Sequence, residues 1–145
     1  MIWIGIDPGA KGAMAVIQGD DAVVIPFDQD SYIRYLKDIK QNFPCICCIE
    51  AVHSISGQGI ASSFKFGTSY GWLLGMLDTI GIPYQPVTPQ KWKKEFGLNS
   101  DKAASVEVCK RLYPNVNLLR TERSRKEDDG MAEALLMATY AMRKF

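Results

Sequence analysis

Two short apolar runs in this chain each close on a single carboxylate: IWIGID, residues 2–7, ends at Asp7, and CICCIE, residues 45–50, ends at Glu50. The second run is too short for an ordinary helix and almost wholly apolar, the mark of a central strand covered on both faces. Asp7 is followed at once by Pro8 and Gly9, and a further apolar run, AMAVIQ, begins at Ala13. It therefore stands at the mouth of a turn between two buried strands. A charge buried there without a partner costs several kcal/mol or is neutralised, so what these carboxylates face is the first question the chain poses.

The rest of the pattern builds a sheet around them. IWIGID, AMAVIQ and AVVIPF (residues 22–27) predict an antiparallel meander. Asp30 or Ser31 is placed to cap a helix through Tyr32, Leu36 and Ile39 that ends before Asn42-Phe43-Pro44. After the central strand, HSISGQGIASS (53–63) predicts a flexible loop. A helix from Ser62 to Ile80 follows, with Phe66, Tyr70, Leu73, Leu74 and Leu77 at 3/4 spacings. Its Gly67, Gly71 and Gly75 are spaced to let another helix approach closely, in this chain or a second copy. GIPYQPVTP (81–89) supplies a strand leading into WKKEFG, Ser100 is placed to cap a helix from Asp101 to Leu112, Tyr113 to Glu127 is a polar connector, and a last helix runs from Asp128 to Lys144. The order β-β-β-α-β-α-β-α-α implies an α/β fold, a mixed sheet flanked by helices.

At 145 residues and 47% hydrophobic content the expectation is one domain, residues 1–145. No signal-like opening and no apolar stretch of about 20 residues is present, so a soluble, cytoplasmic protein is expected. Cys45, Cys47, Cys48 and Cys109 lack paired spacing; alternation puts Cys45 and Cys47 on one sheet face and Cys48 on the other, which suits a reduced core better than a zinc site. The net charge of +1 conceals an asymmetry. Residues 91–126 hold ten Lys and Arg against four acids, and the remainder holds seven against twelve. An acidic site beside a basic, polyanion-binding surface produces that pattern, as do solvated helix faces.

Period-2 alternation puts Asp7 on the same face as Trp3 and Gly5. On the last helix Asp129 and Glu133 share a face four residues apart, beside an apolar stripe of Met131, Leu135, Ala138 and Met142. N-capping and the helix dipole account for Asp128; they do not account for Glu133, since like charges at i, i+4 repel unless a cation lies between them. Oxygen-only ligands from separate elements suit Mg²⁺ or Mn²⁺, and a two-metal arrangement would serve in-line phosphodiester hydrolysis.

In combination, GIDPGxxG at Gly5–Gly12, Ile49-Glu50, the GQG loop with FKFG at Phe64–Gly67, VTPQKWKK at Val87–Lys94 and DDGMAEALLMA at Asp128–Ala138 resemble RuvC-type Holliday-junction resolvases, above all the compact forms of phages and prophages. The resemblance spans almost the whole chain in order. It implies a ribonuclease-H-like fold, with three antiparallel strands then two parallel, and a homodimer that nicks four-way DNA junctions in symmetric pairs. It implies Mg²⁺ or Mn²⁺, two per active site, held by Asp7, Glu50, Asp129 and Glu133, with Asp128 as a further candidate. Lys93 and Lys102 match positions facing the DNA backbone, and the helix from Ser62 to Ile80, with Phe66, Tyr70, Leu73, Leu74 and Leu77, matches the dimer-forming element. The family carries aspartates three apart on the last helix, whereas this chain has Asp129 and Glu133 four apart, which leaves open which of Asp128, Asp129 and Glu133 binds metal.

Further candidates for DNA contact are Lys11, Lys91, Lys94, Arg123, Arg125 and Lys126. His53, three residues past Glu50, could serve as acid or base or simply be solvated. Phe64, Phe66 and Tyr70 could stack on bases or pack at a dimer seam, and Trp92 reads first as core. Alternatives in the same frame are a nuclease for broader branched or flap DNA and a non-catalytic junction binder. An actin-like sugar kinase shares the opening turn but needs two large lobes. No nucleotide cofactor and no membrane partner are expected.

Overall fold

The computed structural model describes residues 1–53 and 56–145, without the side chain of Lys102. Five strands, β1 (Ile2–Asp7), β2 (Ala13–Gln18), β3 (Asp21–Pro26), β4 (Cys45–Glu50) and β5 (Tyr84–Val87), form one sheet in the order β3-β2-β1-β4-β5. β1 pairs antiparallel with β2, and β2 with β3; β1 pairs parallel with β4, and β4 with β5. The expected mixed sheet, three strands antiparallel then two parallel, is therefore present.

Helices cover both faces. On one lie α1 (Gln29–Asn42) and α2 (Ile60–Ile80), whose Tyr32, Leu36, Leu73 and Leu77 pack with Ile4, Ile6, Cys47 and Ile49. On the other lie α3 (Pro89–Glu95), α4 (Lys102–Leu112) and α5 (Asp129–Lys144), with Trp92, Cys109 and most of α5 in a second core that includes Cys48. All four cysteines are free and buried: Cys45 and Cys47 lie in one core and Cys48 in the other, as alternation along β4 requires, and Cys109 of α4 joins Cys48. No helix among the described residues is long and apolar enough to cross a membrane.

Several boundaries differ from expectation for local reasons. Asp28, not Asp30 or Ser31, caps α1 by accepting from the Ser31 amide at 2.9 Å. Asp101, not Ser100, caps α4 through the Ala103 amide. α2 starts at Ile60, ahead of Ser62, and part of the expected loop, residues 54 and 55, lies outside the described residues. The WKKE segment forms α3, capped by Thr88 and opened by Pro89 in the first turn, where the missing N–H costs nothing. The apolar stripe on α5 is wider than expected: Gly130–Ala132 and Ala134–Ala141 are all buried, whereas Met142 is 39% exposed and lies off it.

The placement of α5 follows from one residue on β1. Gly5 lies directly beneath the helix, and a Cβ built there would overlap the Ala134 carbonyl oxygen and the Ala138 nitrogen. Only a residue without a side chain allows backbone to sit on backbone at that point. Gly5→Ala is expected to destabilise the protein by about 3 kcal/mol or more, because the obstruction is main chain and cannot swing aside; urea-unfolding midpoints of the two proteins check this.

Candidate metal and nucleic-acid site

Ile6 pairs with Ile49 in the parallel register, so the next residues, Asp7 and Glu50, end adjacent strands side by side. Parallel neighbours are about 4.8 Å apart. Both residues alternate toward the face that carries α5, in phase with Gly5 and Cys48. Because α5 is seated on Gly5, its first turn reaches the ends of these strands: a Cβ at Gly130 would lie 3.0 Å from Asp7 Oδ2. One turn further, Glu133 completes a group in which Asp7, Glu50 and Glu133 each present a carboxylate oxygen within 4.8 Å of the others. Three of the four principal acidic residues singled out in the sequence thus converge. The fourth, Asp129, lines the same cleft beside Asp7.

The cluster stores electrostatic strain. Burial pushes the Asp7 carboxyl well above its ordinary range, and the neighbouring charges of Glu133, Glu50, Asp129 and Asp128 push the same way. Glu50 is also raised by burial, although the Trp92 indole and Lys93 oppose the shift. Trp92 is fully buried, and its Nε1–H donates to Glu50 Oε2 at 2.9 Å. This tryptophan is core, as expected, yet it also orients a site carboxylate. The signal was available, since a buried indole N–H needs an acceptor. Oxygen donors from three separate elements, held close at an electrostatic cost, fit a hard divalent cation.

Asp128 has a different place. It caps α5 by accepting from the Met131 amide at 2.9 Å, and Arg120 engages both its oxygens at 2.9 and 3.0 Å. Burial opposes ionisation there, but these hydrogen bonds keep its carboxyl below the usual range.

The basic residues separate into two groups. Lys93 turns inward, with Nζ 3.9 Å from Glu133 Oε1 and 5.5 Å from the centre of the Trp92 ring. Lys11 is exposed on the turn lining the acidic cleft, Lys91 and Lys94 are exposed on α3, and Arg123, Arg125 and Lys126 are exposed in the connector before α5. The side chain of Lys102 lies outside the described residues. His53 is exposed beyond the end of β4.

The residues expected at a dimer face divide as well. Leu73 and Leu77 are fully buried in this chain's own core and offer no surface to a second copy; 3/4 spacing marked the apolar face of α2 without telling which neighbour covers it. Tyr70 and Leu74 are half-buried at the edge of that core. Phe66 lies against Gly9 and lines the acidic cleft. The outward face of α2 carries instead Ile60, 91% exposed, Phe64, 78% exposed, and the open Gly67, Gly71 and Gly75.

No protein-family model and no curated protein matches the sequence. Among solved structures, Thermus thermophilus RuvC in complex with Holliday junction substrate is similar at 16% identity and a TM-score of 0.63, over 99% of this chain and 96% of that one. The Thermus thermophilus RuvC structure is similar at 18% identity and a TM-score of 0.59, with the same shares covered. The fold is thus the ribonuclease-H-like fold of RuvC, as the motif resemblance implied.

The raised carboxyls carry a pH signature. A carboxyl with a folded-state pKa above its unfolded value contributes stability below the unfolded value, about 4, and that stability is lost as pH rises through the folded value. In EDTA, the wild-type protein is therefore expected to lose stability relative to Asp7→Asn as pH rises from about 4 toward neutrality, and to regain it on addition of Mg²⁺ or Mn²⁺. Thermal unfolding across pH, with and without metal, checks both parts.

Proposed function

We propose that this chain is a divalent-metal-dependent, structure-specific DNA endonuclease that resolves four-way junctions. The observation that carries the reading is the convergence of Asp7, Glu50 and Glu133 within 4.8 Å on a RuvC fold. These three carboxylates would hold Mg²⁺ or Mn²⁺, and Asp129 lines the same cleft. When bound, such ions supply an activated water and charge stabilisation for in-line hydrolysis of a phosphodiester.

The protein's own groups perform the remaining tasks. Trp92 fixes the rotamer of Glu50 through its indole N–H. Lys93 lies beside Glu133, close enough to lessen repulsion within the cluster and to meet an incoming phosphate. Lys11 on the cleft rim, with the exposed Lys91, Lys94, Arg123, Arg125 and Lys126, is the set proposed to hold the DNA backbone, and Lys102 belongs to the same proposal. A homodimer through the outward face of α2 would present two sites to opposing strands. The exposed Ile60 and Phe64 and the open glycine row support that arrangement, since small residues permit close helix approach. The whole chain, 1–145, acts in this reading as a single nuclease domain.

The deciding experiment compares cleavage of a labelled four-way junction with linear duplex, flap and single strand, in Mg²⁺, Mn²⁺ or EDTA. Symmetric nicks confined to the junction and abolished by EDTA are expected. Equal cutting of flaps would redirect the reading to a broader branched-DNA nuclease, and metal-independent binding without cutting would replace it with a junction-binding protein. Asp7→Asn is expected to lower cleavage by at least about 10³-fold, a few kcal/mol of lost transition-state stabilisation, while junction binding persists. For Lys94→Ala, the plot of log binding constant against log salt is expected to lose about 0.9 in slope, with cleavage of bound junction unaffected; binding titrations at several salt concentrations measure it.

A further inference from the structure

The connector before α5 holds three arginines, and they are not equivalent. Arg123 and Arg125 are exposed, whereas Arg120 turns inward. Its Nε and Nη2 donate to the two oxygens of Asp128 at 3.0 and 2.9 Å, a bidentate pair. Nη1 and Nη2 also donate to the Gly12 carbonyl, each at 3.3 Å, and Nη2 donates to the Lys11 carbonyl. One guanidinium thus grips two elements that are distant in sequence. Asp128 is the cap from which the acidic first turn of α5 starts, and Lys11 and Gly12 close the turn that leaves Asp7. The connector is tied down at the same place, for the Asp128 amide donates to the Leu118 carbonyl at 2.8 Å.

Those two elements carry carboxylates that repel one another, Asp7 on one side and Asp129 and Glu133 on the other. The contact at Gly5 seats α5 on β1, whereas the turn that leaves Asp7 lies past the end of β1 and is joined to the start of α5 by Arg120. We propose that Arg120 is a positioning residue that sets the distance between Asp7 and the carboxylates of α5, and so the affinity of the site for a divalent cation, and that it is not a DNA-phosphate contact. The inference rests on the metal-dependent reading above. Charge alone does not achieve this: the planar fork matches one carboxylate and two carbonyls at once, which a lysine ammonium cannot reproduce. With Asp128 opposite it, the guanidinium charge is already compensated inside the protein.

The test titrates Mn²⁺ into DNA-free protein, followed by electron paramagnetic resonance, for wild type, Arg120→Ala and Arg120→Lys, each checked for folding by thermal unfolding. The expected result is Mn²⁺ affinity weakened about 10- to 100-fold in both variants, the usual effect of losing a group that orients metal ligands. The salt slope of junction binding, measured in EDTA, is expected to remain that of wild type. Restoration of wild-type behaviour by lysine, together with a slope reduced by about 0.9 in the alanine variant, would overturn the proposal in favour of a phosphate contact. Unchanged Mn²⁺ affinity in the folded variants would overturn it in favour of a purely structural role. Should Arg120→Ala not fold, Arg120→Lys, which keeps the stem and the charge, tests the proposal by its Mn²⁺ affinity: a loss of about 10- to 100-fold supports it and wild-type affinity overturns it. Failure of the wild type itself to bind Mn²⁺ would remove the metal reading, and this inference with it, and is recognised because it appears before any substitution.

Discussion

The seat of α5 on β1 governs the rest of the molecule. Backbone meets backbone at Gly5, and that approach decides how far the acidic end of the helix reaches over the strand ends. Were α5 held off by the width of a methyl group, Glu133 would retreat from Asp7 and Glu50 and the second core would open around Trp92 and Leu135. The position of least side chain in the sheet is thus the position on which the site depends. The buried run of α5 that contains the contact, Ala134 to Ala141, supplies the apolar area that holds it there.

Against that attraction stands the repulsion of the carboxylates. Asp7, Glu50 and Glu133 are drawn together by a fold whose stability they reduce, a local conflict that proteins tolerate at functional sites. The surroundings lessen it without cancelling it. Trp92 donates to Glu50, Lys93 approaches Glu133, and Arg120 binds Asp128 to the opposite turn. All three come from α3 or the connector, where Trp92 read as core and the basic residues as a polyanion-binding surface or solvated helix faces. The cost left over is what a divalent cation would relieve.

Basic residues therefore do two kinds of work in this chain. Lys93 and Arg120 face inward and belong to the acidic cluster, whereas Lys11, Lys91, Lys94, Arg123, Arg125 and Lys126 remain at the surface. Electrostatic attraction for a polyanion is correspondingly smaller than the local excess of positive charge suggests. Of the surface set, Lys11 borders the acidic cleft itself.

Much of the architecture was legible in one dimension because it depends on local pattern. Alternation alone put Asp7 in phase with Gly5 and divided the cysteines between two faces, and a nearly continuous apolar run marked β4 as central. The acidic candidates were equally visible, since a charge interrupting an apolar run is anomalous wherever it folds. What sequence could not supply was the identity of neighbours across space. The family resemblance drew Leu73 and Leu77 into an expected dimer face although they are buried in their own core; composition counted Arg120 only as one more charge, and the departure from the family spacing left Asp128, Asp129 and Glu133 unranked. Those distinctions rest on where α2, the connector and α5 meet the sheet. That meeting is decided by packing over long sequence separations, so sequence by itself determined which groups are chemically capable, and only the tertiary structure decided which of them face one another.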